Sequence, residues 1–193
     1  MLRSIKIIVF FISIFTCAQL NASTASTVLF FDLGNTLINT KNEKQFKFFD
    51  STLSYLNSLK EKNYRMGLLI NIPESWGESQ EQKLKSLKDY VNNRWKESKP
   101  FPWSYFEVIF LSPDTKRRKP NPYLFNQAMN WAKNKTILYQ SENREEVFQA
   151  SSMGIASFQV NQRKDQFYIP LNKINSYLNQ FYKPQNQPKL PLN

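Results

Sequence analysis

The sequence contains no histidine and only one cysteine, Cys17. No Cys/His finger can be built from such a chain, and it shows no aromatic-basic RNA motif, so no specific nucleic-acid recognition is expected. Acidic residues are also scarce, 15 against 26 Lys and Arg, for a formal charge of +11. The main apolar stretch, Ile7–Thr16, is short of the about 20 residues that a bilayer span takes. Long blocks of like charge are missing too. Together with 41% hydrophobic and 15% aromatic content in 193 residues, that argues against wholesale disorder and for one core in one domain.

What is present at the start is a charged head, Met1–Lys6 with Arg3 and Lys6, then the apolar Ile7–Thr16, then Leu20-Asn21-Ala22. This is the anatomy of a secretory signal peptide cleaved near Ala22. Two alternatives stand beside it. An uncleaved anchor would extend the apolar run through Leu20, and a lipoprotein would use Cys17, although Phe15-Thr16 fits that site poorly. Cleavage after Ala22 leaves no thiol and no disulfide. The rest of the chain carries +9 once Arg3 and Lys6 are removed. Such a surface favours acidic partners such as phosphoesters, anionic lipid or nucleic acid; an anionic small molecule or phosphoester, or a protein partner in the envelope, is the expected partner. The expected layout is a signal peptide over 1–22, an α/β domain over 23–182, and a disordered tail over 183–193 containing three prolines. Export to the periplasm or outside the cell is the expected location.

Within the domain, short apolar runs alternate with amphipathic stretches. Val28–Phe31, Met66–Ile70, Phe106–Leu111, Thr136–Tyr139 and Ile155–Val160 read as strands. Phe46–Leu59, Gln80–Trp95, Pro122–Lys133, Glu145–Met153 and Leu171–Phe181 read as helices. This alternation predicts an α/β fold, a Rossmann-like parallel sheet with helices on both faces. Its ligand site should lie beyond the carboxyl ends of the strands, in the loops after Phe31, Ile70, Leu111 and Tyr139.

Those loops hold a set of residues with a familiar order. Phe30-Phe31-Asp32-Leu33-Gly34-Asn35-Thr36-Leu37 resembles the first motif of the haloacid dehalogenase-like (HAD) superfamily. Asn71 after Leu68-Leu69-Ile70 resembles the second, and Lys119-Pro120-Asn121-Pro122 followed by Phe125 the third. Glu146-Val147, Ala150 and Gly154 keep the spacing of the fourth. The resemblance spans Val28 to about Val160, and such motif matches are hypotheses to be tested by structure. It implies Asp32 as nucleophile, Lys119 as its charge partner, and Thr36 and Asn71 in the same site. It also implies magnesium held by Asp32, the carbonyl of Gly34, and an acid of the fourth motif, Glu142 or Glu146.

The chain departs from that pattern in three places. Gly34 stands where phosphatases of the superfamily carry the acid that protonates the leaving group, help worth about 10²–10⁴-fold. Ile70 stands where a Ser or Thr would hold the phosphoryl group, and Gln140-Ser141 where Gly-Asp would supply the metal carboxylate. Ser141-Glu142-Asn143 looks like the fourth motif of metal-free dehalogenases. Those enzymes, however, need a cap domain, and no large cap fits between Asp32 and Ile70. The expectation is a degenerate HAD domain, a pseudoenzyme that binds a partner or serves in an envelope assembly. A magnesium-dependent phosphatase is the alternative and a dehalogenase-like hydrolase the lesser one. Of the other conspicuous groups, Lys116–Arg118 are expected as solvated loop residues with Lys119 alone turned inward. Trp95, Phe101, Trp103, Tyr105 and Phe106 are expected to pack a helix-to-strand loop. By the same resemblance, Trp76 is expected in a substrate-facing loop.

Overall fold

The computed structural model describes residues 26–161 and 167–183. The predicted signal peptide, Cys17 and all but the first residue of the predicted tail lie outside the described residues. Among those described, no helix is long and apolar enough to cross a membrane.

Five parallel strands form the sheet: β1 (Thr27–Phe31), β4 (Arg65–Ile70), β5 (Val108–Leu111), β6 (Thr136–Ser141) and β7 (Ala156–Gln159), in the order β5-β4-β1-β6-β7. The central strand β1 pairs with β4 through Phe31↔Leu68 and with β6 through Phe31↔Gln140. Every residue of β1 is buried, as expected of an apolar strand covered on both faces. Its side chains divide by alternation. Leu29 and Phe31 join one core with Tyr55, Leu56 and Leu59 of α1 (Thr52–Glu61), Leu87 and Val91 of α2 (Gln80–Arg94), and Ile174 and Leu178 of α5 (Ile174–Phe181). Val28 and Phe30 join the other core with Leu124, Phe125 and Ala128 of α3 (Tyr123–Ala132) and Ala150 of α4 (Arg144–Ser152). The predicted sheet with helices on both faces is therefore what forms.

Gly67 shows how tightly the second core is filled. A Cβ there would overlap the ring of Phe30, which lies between Phe110 and Trp131 at centroid distances of 6.2 and 5.9 Å. Only glycine lets that ring lie flat against β4.

The interval from Asp32 to Ile70 holds a small hairpin, β2 (Ile38–Asn39) against β3 (Lys47–Phe48), and then α1. The hairpin is a correction. The predicted helix over Phe46–Leu59 starts only at Thr52, because the backbone of Phe46 is engaged elsewhere. Its N–H donates to Arg94 O at 2.7 Å and its carbonyl accepts from Lys96 N at 2.9 Å. The chain is extended there, and the three- and four-residue spacing of Phe46 and Phe49 is coincidental. Helix α2 opens on a capping box, Ser79 with Gln82, the reciprocal arrangement that satisfies free N–H groups at a helix start. Its predicted stripe of Leu84, Leu87 and Val91 is supplemented by Lys83, which is buried with its ammonium on the Pro113 carbonyl.

Candidate functional site

In a sheet of this order, the chain runs outward from β1 through β4 to β5 and then crosses back to β6 on the other side of β1, and the crevice beside the carboxyl end of β1 is where ligands bind. Asp32 directly follows β1 there, with its N–H on Gln140 O at 3.1 Å. Its side chain keeps 15% exposure, whereas that of Lys119 is fully enclosed.

Lys119 reaches this point from the loop after β5. Asn71, directly after β4, fixes the lysine backbone from both sides: Lys119 N donates to Asn71 Oδ1 at 2.7 Å, and Asn71 Nδ2 donates to Lys119 O at 2.9 Å. The ammonium then donates to Asp32 Oδ1 at 2.8 Å, Glu146 Oε2 at 2.8 Å and Tyr139 Oη at 2.9 Å. Glu146 Oε2 also accepts from Tyr139 Oη at 2.6 Å and from Ser141 Oγ at 3.0 Å. Thr36 Oγ1 donates to Asp32 Oδ2 at 3.3 Å and accepts from Glu142 N at 3.0 Å. Residues far apart in sequence, Asp32, Thr36, Asn71, Lys119 and Glu146, thus meet at one place at the carboxyl edge of the sheet.

The electrostatics follow from enclosing two carboxylates with one ammonium. Burial opposes the charge on Lys119, but the Asp32 and Glu146 carboxylates outweigh it and hold the lysine above its ordinary value. Burial pushes Asp32 up; Lys119 opposes this and Glu146 adds to it, and the net direction is upward. Burial, aided by Glu146, keeps the Tyr139 hydroxyl protonated far into the alkaline range, so it is a donor to Glu146. Glu142, half-buried, is pushed up to about 7 by desolvation and then by the charges of Asp32 and Glu146.

The departures from the family pattern have visible consequences. Gly34 has ordinary space beside it: a Cβ would meet only Thr40, at 3.7 Å from Oγ1. The space around Gly34 would therefore admit a side chain. Ile70 is buried in the first core and offers no hydroxyl to the crevice. Ser141 does not merely lack a carboxylate; its hydroxyl orients Glu146.

Magnesium is implied by the resemblance, through Asp32, the Gly34 carbonyl, Glu142 and Glu146. As placed, Glu146 is not free to join the other three. Glu146 Oε2 takes three protein donors and its charge faces Lys119, so Asp32, the Gly34 carbonyl and half-buried Glu142 are the groups that would hold the ion. Glu146 serves here as the second counter-ion of the lysine.

Three other expectations can be placed. Arg117 bonds Asp114 Oδ2 at 2.7 Å, and Arg118 caps Ile72 O at 2.8 Å, so the basic run is a loop clasp from which only Lys119 enters the site. Trp76 is a correction. It packs on the first core, 4.8 Å from the ring of Tyr90, and its carbonyl accepts from Ser86 Oγ; it is held to α2 and not turned to a substrate. The dehalogenase-like Asn143 caps α4, accepting from Glu145 N and Glu146 N. Sequence reasoning missed Tyr139 as part of the site, since the end of an apolar run gives no sign that its hydroxyl sits between a lysine and a glutamate.

No family model and no curated protein matches this sequence. Solved structures do. A HAD family enzyme from Bacteroides thetaiotaomicron, a mutant in complex with magnesium and inorganic phosphate, aligns over 72% of this chain and 96% of its own at 17% identity and a TM-score of 0.51. A HAD-superfamily hydrolase from Ehrlichia chaffeensis aligns over 84% and 99% at 15% identity and 0.52. A putative haloacid dehalogenase-like hydrolase from Bacteroides fragilis aligns over 79% and 93% at 15% and 0.52. The fold of this chain is the α/β Rossmann-like fold of the HAD-superfamily hydrolases.

Proposed function

We propose that this protein is a HAD-like domain, exported to the cell envelope, that binds a partner and does not hydrolyse phosphoesters. The observation that carries this reading is the saturation of Lys119. An ammonium has three N–H donors and no acceptor, and all of them are taken by Asp32, Tyr139 and Glu146. A phosphoryl group arriving at Asp32 would find no free donor on the lysine, no hydroxyl at Ile70 and no acid at Gly34. Oriented donors around the transferring group supply most of the catalysis in phosphoryl transfer. The partner is an envelope protein or an anionic small molecule, in keeping with the +9 carried after residue 22.

The test is turnover of p-nitrophenyl phosphate with magnesium, native protein beside Asp32→Asn. No difference between the two is expected. Magnesium-dependent turnover that disappears in Asp32→Asn would overturn the reading. Export has its own test, N-terminal sequencing of protein from the envelope fraction. A start just after Ala22 is expected, and intact Met1 in a soluble cytoplasmic pool would refute it.

A second reading, a magnesium-dependent phosphatase, is favoured by Glu142. In it an oxygen of Asp32 attacks phosphorus, the ester oxygen leaves with the bond pair, and Glu142, pushed up to about 7, hands it a proton. Carboxyl groups raised toward neutrality are suited to that task. Dependence on magnesium, which the Bacteroides thetaiotaomicron structure holds with phosphate, is this reading's signature.

A further inference from the structure

The Asp32 loop has a second set of supports, which come from the segment just ahead of α5 and from Gln140. The Thr36 carbonyl accepts from Tyr168 Oη at 2.7 Å, across 132 positions of sequence. A hydroxyl has one proton to give, so the same Tyr168 oxygen accepts from Thr52 Oγ1, 2.8 Å away at the start of α1. Thr36, Thr52 and Tyr168 are all buried, where a carbonyl left without a donor would carry a desolvation cost. The ring of Tyr168 stacks on that of Tyr55 at 4.5 Å and 8° and meets Phe31 edge-on at 6.4 Å. Tyr168 therefore touches the chain on both sides of Asp32, at the residue before it and at Thr36 four residues after.

Gln140 keeps the tyrosine's segment there. Its backbone carbonyl accepts from Asp32 N at 3.1 Å. Its side chain, fully buried, accepts from Ile169 N at 3.2 Å and donates to Tyr55 Oη at 3.2 Å. The resemblance puts a glycine at this position, and glycine could make neither side-chain bond. One residue of β6 thus ties Asp32 to the segment that carries Tyr168. From Thr36 the path to Asp32 is short: the Thr36 hydroxyl donates to Asp32 Oδ2 at 3.3 Å and is itself located by Glu142 N at 3.0 Å.

We propose that Tyr168 is a positioning residue for Asp32, aiming its carboxylate by fixing Thr36. This holds whether or not Asp32 attacks phosphorus, so its failure would leave the reading of function untouched. Tyr168→Phe keeps the ring on Tyr55 and deletes only the hydroxyl. Tyr177→Phe, which deletes a hydroxyl bonded to Ser157 O, is the comparator for a lost hydrogen bond elsewhere. Two quantities are read by NMR on the full-length chain: amide hydrogen exchange over residues 33–38, and the carbon-13 shift of the Asp32 carboxyl at one neutral pH. Tyr168→Phe should speed exchange in 33–38 about tenfold and displace the Asp32 signal, and Tyr177→Phe should do neither. Thr36→Val should displace the signal too, and adding Tyr168→Phe to it should move it no further. Exchange in 33–38 no faster in Tyr168→Phe than in Tyr177→Phe overturns the proposal. An unmoved Asp32 signal overturns it even where exchange quickens, because Tyr168 would then brace the loop without aiming the carboxylate. Further displacement in the double variant overturns it as well, since the tyrosine would act by a route other than Thr36.

Discussion

Asn71 and Lys119 are joined by two backbone-directed hydrogen bonds, 2.7 and 2.9 Å long, that span 48 positions of sequence. The asparagine thereby fixes where the lysine side chain starts, while Asp32, Glu146 and Tyr139 fix where it ends. Replacing Asn71 with Ala leaves a part-buried N–H and carbonyl without partners, at a cost of about 1–3 kcal/mol. Urea denaturation should show that loss. Asn71→Asp keeps the acceptor for the lysine N–H and should cost less than Ala.

Lys119→Met should be among the most damaging single changes, because it strands two carboxylates around an apolar side chain. Breaking a buried ion pair on one side costs about 3–5 kcal/mol. The deficit should shrink as pH falls and Asp32, whose carboxyl is raised by burial, takes up a proton. Adding Asp32→Asn and Glu146→Gln to Lys119→Met should recover most of the loss at neutral pH, measured by urea midpoint at constant slope.

Gly34 and Ser141 both stand where the resemblance to phosphatases of the superfamily implies an acid, yet they should respond differently to receiving one. Gly34→Asp places its Cβ at ordinary contact with Thr40 and should alter stability by less than about 1 kcal/mol. Ser141→Asp sets a second carboxylate against Glu146 Oε2, now 3.0 Å from the serine hydroxyl. It should lower the melting temperature at neutral pH and less so in acid.

Glu142 gives a pH signature of defined sign. Its carboxyl is raised from 4.5 to about 7 in the fold, so the folded protein holds a proton that the unfolded chain has released. This favours folding at low pH, and the benefit is lost as pH rises from 4.5 through about 7. Glu142→Gln, which never ionises, should therefore melt higher than the native protein above that range and equal it below. The gap should be modest, because half of the group remains open to solvent.

Gly67→Ala should cost about 1–3 kcal/mol through overpacking, since its methyl would enter the Phe30 ring. A paired change to a smaller ring-side residue, Phe30→Leu, should recover part of it.

Strand periodicity and the order of Asp32, Asn71, Lys119 and Glu146 made the sheet, its two covered faces and the meeting point legible in the sequence. Phe46 was not legible, because what extends it is a pair of hydrogen bonds to Arg94 and Lys96, far along the chain. Trp76 misled for a related reason: its partner Tyr90 belongs to a helix whose orientation no local spacing reveals. The role of Glu146 depends on a competition between a lysine and a cation for one carboxylate. That competition is decided by the reach of Lys119 and the hydroxyls of Tyr139 and Ser141, and the fourth-motif spacing is the same either way.

The Lys119 cluster also sets an order of events during synthesis. Its ammonium belongs with an acid 87 positions earlier and another 27 positions later, and β1 finds its second neighbour only when Thr136–Gln140 arrives. A nascent chain that has not yet produced β6 and α4 therefore has a half-paired central strand and a lysine lacking two of its three acceptors. Contacts of such long separation form late and slowly. The full set of contacts at Lys119 can therefore form only after the last third of the domain has been made, which also brings the second neighbour of β1.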